Sequence, residues 1–191
     1  MAFTEVNTAE DINDVPDGII NMARIEKFNF QYFPAYARFL LDHKLQEFAA
    51  KLLQLSREVN LPLLKLFQSY TEEQLIRLGI QNVKDSLTFF AANKGRELIE
   101  HSVKMWLNNE IPMISRDAIV ADDITLVSFI RRKAFRDFLP FYTNEFAIHR
   151  NIMEEIDQFT TALETVSLNL LLSRQQDLYK QAQALAHIGN W

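Results

Sequence analysis

Apolar residues along this chain recur at spacings of three and four, the period of helices that bury one face. Leu41, Leu45, Phe48, Leu52 and Leu55 form the first stripe, in a helix expected to begin after Pro34. Asn60-Leu61-Pro62 marks a fresh start, because proline fits a first helical turn and disrupts later ones. Leu63 to Tyr70 is then expected to be a short apolar helix. Thr71-Glu72-Glu73-Gln74 has the form of a capping box, and Ile76, Ile80, Val83, Leu87 and Phe90 make the stripe behind it. Gly95 falls inside the continuing pattern and predicts a kink or a break. Leu98, Ile99, Ser102, Met105 and Trp106 carry the apolar side on until Asn108-Asn109 and Pro112 stop it. Asp122 or Asp123 is placed to cap the next helix, with Ile124, Val127, Ile130, Ala134 and Phe138 as its buried face. Pro140 must kink or end that helix.

The C-terminal stretch carries a different pattern. Ile152, Ile156, Phe159, Leu163, Val166 and Leu170 alternate steps of four and three, an a/d seam of nearly three heptads. A helix of roughly 25 to 35 residues here outruns a domain of this size at about 1.5 Å per residue. Its far end, Ser173-Arg174-Gln175-Gln176, is too polar for a core. On one reading the first half packs in the domain and the second leaves it to pair with another copy, so that these six residues form a dimerisation and signalling helix. On the other it is an ordinary long core helix with a frayed end.

Composition supports the helical reading. Only 4 Gly and 5 Pro occur in 191 residues, so few turns are available and a many-stranded sheet is not expected. The length suits one domain with an extension. Lys and Arg total 20 against 25 Asp and Glu, for a net charge of -5, which argues against a nucleic-acid binder. The absence of Cys excludes disulfides, thiolate zinc sites and cysteine nucleophiles. Residues 1 to 18 form an acidic leader ending in the turn Pro16-Asp17-Gly18, unlike a signal peptide, and Ile19 to Phe28 can form a short helix. No run of 18 apolar residues is present, so no membrane span is expected and a cytoplasmic location follows.

Candidate chemistry is sparse. The Glu-x-x-His pairs of di-iron bundles, HExxH, glycine-rich phosphate loops and GxSxG elbows are all missing, and the acidic pairs fit helix starts better than acid/base catalysis. No catalytic residue and no metal site is assigned. Tyr142, Phe146, His149 and Met153 share a helical stripe that can line an aromatic pocket, in which His149 would ligate haem iron. More often such a histidine is half-buried and hydrogen-bonded to a neighbour, and His101 reads the same way. His43 reads as solvated. No histidine begins a phosphoacceptor box. Arg131-Arg132-Lys133 with Arg136 is a basic patch, ordinarily the wet side of a helix, otherwise an anion or partner contact. Fifteen Phe suggest an aromatic interior, as core packing or as an apolar ligand pocket.

Two resemblances extend this picture. Leu178 to Trp191, with Ala182-x-x-x-Ala186 and Ile188-Gly189-Asn190-Trp191, resembles the lead-in helix and opening strand of a PAS domain. That implies a longer native protein whose PAS domain starts here, with residues 173–191 as linker and His187 and Trp191 as scaffold. The order of helices over residues 60–190, with Ile156-Asp157-Gln158-Phe159 opening a long terminal helix, is similar to the N-terminal sensor domains of stressosome RsbR-type proteins. The resemblance implies a globin-like fold without haem over residues 30–172 and dimerisation through terminal helices. Related modules precede PAS domains in bacterial sensor histidine kinases, so the parent is expected to be such a kinase, with ATP used elsewhere in the chain. Partners are then a second copy and the downstream PAS and kinase domains. A haem-binding gas sensor and a stressosome-type scaffold are the alternatives. The chain departs from that family in its leader before residue 30 and in Pro140.

Overall fold

A computed structural model describes the backbone of residues 28–188 and the side chains of 28–185. The acidic leader, the Pro16 turn, the helix proposed over Ile19 to Phe28 and the Gly189 to Trp191 strand start therefore lie outside the described residues, apart from Phe28 itself. Within them the protein is all-α. The helices are α1 (Phe33–Phe39), α2 (Leu45–Glu58), α3 (Glu72–Ala91), α4 (Gly95–Leu107), α5 (Ala121–Tyr142) and α6 (Phe146–Ile188). Two 3-10 turns, Pro62–Phe67 and Arg116–Ala118, lie in the connections.

The first stripe begins earlier than its spacing predicts. Phe33, Tyr36, Ala37 and Leu40 are all fully buried, while Leu41 is only half-buried. A π-helical turn, Leu40–Lys44, joins α1 to α2. It makes the step from Leu40 to Leu45 five residues rather than four, so the buried face resumes at Phe48, Ala49 and Leu55 without leaving the core. The stretch after Pro62 is also shorter and tighter than expected, a 3-10 turn with no buried residue.

Asparagine takes the place of glycine at three helix ends. Asn60, Asn93 and Asn109 have φ of 53°, 57° and 55°, the left-handed region that Asn tolerates better than most residues. Each closes a Schellman pattern, in which Lys94 N–H donates to the Phe89 carbonyl and Asn93 N–H to that of Phe90, both at 2.9 Å. The same pairing closes α2 through Leu61 and Ser56 and α4 through Glu110 and Met105. A chain with 4 Gly thus still terminates its helices sharply.

The break predicted at Gly95 is a full one, with α4 starting there. A Cβ on Gly95 would lie 2.7 Å from Phe30 Cε2, so the glycine admits the aromatic core. That core runs through Phe30, Phe33, Phe90, Phe135 and Phe159, with ring centroids 4.6 Å apart for Phe33–Phe90 and 4.7 Å for Phe90–Phe159. Tyr36 is buried beside it and donates its hydroxyl to the Phe135 carbonyl at 2.7 Å. Ile130, Ala134 and Phe138 of α5 are buried as their spacing predicts. Pro140 ends α5 without a break, since the helix stops two residues later at Tyr142.

Asp123 corrects the expected cap. It is not the N-cap but the third residue of α5, 2 % exposed, and its carboxylate accepts Val120 N–H at 3.0 Å and Leu63 N–H at 2.7 Å. One buried acid therefore closes the start of α5 and ties the Pro62–Phe67 turn to it.

Candidate functional site

The 43 residues of α6 make it roughly 65 Å long at 1.5 Å per residue. Its six seam positions do not face outward. Ile152 and Ile156 are 0 % exposed, and Phe159, Val166 and Leu170 are buried as well. Leu163, half-buried, faces the interior cavity described below. These side chains are consumed by the protomer's own core against α4 and α5, so the seam over 152–170 is a packing face and is not free to pair with another copy. An a/d pattern reports an apolar stripe, and it does not say which surface covers it.

The helix leaves the body near Leu172. Arg174 marks the exit, its guanidinium 3.0 Å from the Asp117 carboxylate of the second 3-10 turn. The Arg174 hydrogen bond holds the Asp117 carboxyl below its ordinary value. From Gln175 to Leu185 every residue is exposed. Yet Leu172, Leu178, Tyr179 and Leu185 stand among the large apolar side chains left in solvent, Leu185 at 70 %. A second register runs through Leu168, Leu171, Gln175, Leu178, Ala182 and Leu185, again in steps of three and four. It is offset from the core stripe, so the tail presents its own apolar edge beyond the body.

His149 forms a local clasp. Its Nε2 lies 2.6 Å from the Thr143 carbonyl, closing the turn between α5 and α6. Of its stripe partners, Phe146 is 80 % exposed, so the four residues do not form a pocket wall. His101 is exposed beside the Phe89 ring rather than half-buried, and His43 is exposed beside Phe39. Among the described residues no group of three His, Asp or Glu side chains is placed to hold a metal. None of the helices there is long and apolar enough to cross a membrane.

An apolar cavity lies elsewhere, between α2, α3 and α5, with a volume of about 360 Å³. Phe48, Leu52, Val83, Leu87 and Phe135 make its apolar wall. Pro112 and Met113 line it and are exposed, forming part of its rim. Ile114 N–H donates to the Ile111 carbonyl at 3.2 Å, and Met113 has φ of 65°. With proline in the second place this is a type II turn, whose third place ordinarily takes Gly or Asn. Methionine there costs on the order of 1–3 kcal/mol of backbone strain at the cavity mouth.

The basic patch divides on folding. Arg132 pairs with Glu164 at 2.9 Å and Lys133 with Asp137 at 3.5 Å, while Arg136 is exposed. Arg131 turns inward and lines the cavity. It was legible in the sequence as a basic residue, but only the rotation of α5 separates it from its neighbours.

No family model, curated protein or solved structure matches this chain.

Proposed function

We propose that the chain is the dimeric input module of a bacterial signal-transduction protein, of the non-haem, globin-like kind that precedes PAS domains in sensor histidine kinases. The observation that carries this reading is the tail of α6: about 20 Å of helix past Arg174, exposed at every residue from Gln175 to Leu185, with Leu178 and Leu185 on one edge. A helix with a leucine stripe and no body to cover it is stabilised when a second stripe packs against it. Two copies side by side in parallel bring Leu178 to Leu178 and Leu185 to Leu185. The identical polar Gln175 then meets itself at one position, a device that fixes register.

The body and the tail are one continuous helix, so any change in how α6 packs on α4 and α5 is delivered to the paired tails and to whatever follows them. The resemblance of Leu178 to Trp191 to a PAS entry supports such a domain as the next in the protein. A shift of this kind requires an effector that binds two packings with different affinity.

The chain has no cysteine, so one introduced thiol is unique. Leu178→Cys should form a self-disulfide under mild oxidation, and Glu73→Cys, exposed in the first turn of α3, should not. Equal cross-linking at both sites, or none at Leu178→Cys, contradicts the parallel pair.

A further inference from the structure

Arg131 is set apart from its neighbours by what it lacks. Among the described residues no carboxylate pairs with it and no carbonyl accepts from it, although Arg132 and Lys133 beside it are both paired. Half-buried at the cavity wall, its guanidinium is held below the ordinary arginine value by desolvation. Ser86 and Asn82, one turn apart on α3, line the same cavity and make no hydrogen bond to the described residues.

Gly79 supplies an independent observation. It lies inside α3, where glycine costs about 1 kcal/mol relative to alanine. A Cβ there would meet nothing within 4 Å. Unlike Gly95, Gly79 is not demanded by packing against the protein, and it lines the cavity, widening it. A volume of about 360 Å³ holds about a dozen non-hydrogen atoms at roughly 30 Å³ each.

We infer that this cavity is a binding site for an amphipathic monoanion, an apolar chain of about ten carbons lying along Phe48, Leu52, Val83 and Leu87 with its anionic head paired to Arg131. The apolar wall accounts for the chain and the unpaired guanidinium for the head. A carboxylate or sulfate would supply the counter-charge that Arg131 lacks among the described residues. Ser86 and Asn82 offer further donors to the same head. The binding rests on the cavity alone; its consequence for the tails rests on the input-module reading above.

Isothermal titration of the full chain with decanoate, decanol and decyltrimethylammonium tests it. Decanoate should bind one per chain and tighter than decanol by about tenfold, the worth of a charge-assisted hydrogen bond, and the cation should not compete. Arg131→Gln should remove that preference and leave decanol unchanged, while Arg136→Gln on the exposed face should change neither. Gly79→Leu, which fills the cavity and favours the helix, should block both ligands. Equal binding of decanoate and decanol, no binding of decanoate, or an equal loss in Arg136→Gln overturns the inference. Cross-linking at Leu178→Cys, read on the same samples, reports the dimer separately, so a failed ligand and a failed dimer are told apart.

Discussion

The carboxylate of Glu155, on α6, accepts the backbone N–H of Phe33 at 2.7 Å, across 122 residues of chain. It takes Gln31 N–H at 2.8 Å and Tyr32 N–H at 3.1 Å as well. The first turn of α1 has no cap of its own, so a distant acid satisfies its orphan amides and complements the positive end of the helix. Asn93 does the same for the residues just before, its amide pairing with both the N–H and the carbonyl of Phe30 at 3.2 and 3.1 Å. Together they fasten the start of the fold to α3 and α6.

Glu155→Gln should therefore cost about 1–2 kcal/mol of unfolding free energy, the range of a lost charged cap. Glu154→Gln, whose carboxylate only faces Arg150 on the surface at 3.8 Å, should cost little. Urea unfolding followed by circular dichroism separates the two.

The two helical glycines, Gly95 at the start of α4 and Gly79 inside α3, predict opposite signs. Gly95→Ala drives a methyl against the Phe30 ring and should destabilise by about 1–3 kcal/mol. Gly79→Ala should stabilise by up to about 1 kcal/mol, because its site is open. Thermal melts of both variants check the pair, and a loss of stability in Gly79→Ala would mean that the cavity wall is closed.

Tyr36 sets an alkaline limit. Burial, with the Asp137 carboxylate adding to it, raises its phenol well above the ordinary value of 10.0. The folded state therefore holds the proton more tightly than the unfolded state. The stability this represents is fully present below pH 10.0 and is lost as pH rises beyond it. Tyr36→Phe should lower stability at neutral pH by about 1 kcal/mol, for the lost bond to the Phe135 carbonyl. It should also flatten the decline above pH 10.0, which unfolding measured between pH 7 and 11 reads directly.

Much of the fold was legible in residue patterns. The Thr71–Gln74 box is present, with Thr71 N–H donating to Gln74 Oε1 at 2.8 Å, and the stripes of α3, α4 and α5 face the core. What escaped has physical causes. A π-turn adds a residue that a period of 3.6 cannot anticipate, which displaced the first stripe from Leu40 to Leu41. Asp123 reads as a helix cap and Glu155 as one of an acidic pair at a helix start or solvated face, because their bonds to the Leu63 and Phe33 amides span 60 and 122 residues and leave no local pattern. Arg131 looked like one of four equivalent cations until the packing of α5 turned it inward. The seam from Ile152 to Leu170 was visible, but a stripe is silent about whether its own body or a second copy covers it.

That last distinction yields a contrast between two regions of one helix. Phe159→Asp places a charge among Phe28, Phe30 and Phe90 and should unfold the protein outright. Leu178→Asp with Leu185→Asp lies wholly on exposed helix and should leave the melting of the body unchanged.

Sedimentation velocity of the full chain beside the Leu178→Asp/Leu185→Asp variant then decides whether two copies join through their tails. The expected result is twice the chain mass for the unaltered protein and a single chain mass for the variant, both with the same helical content. A single chain mass for the unaltered protein at every concentration, or a dimer that survives both substitutions, would contradict it.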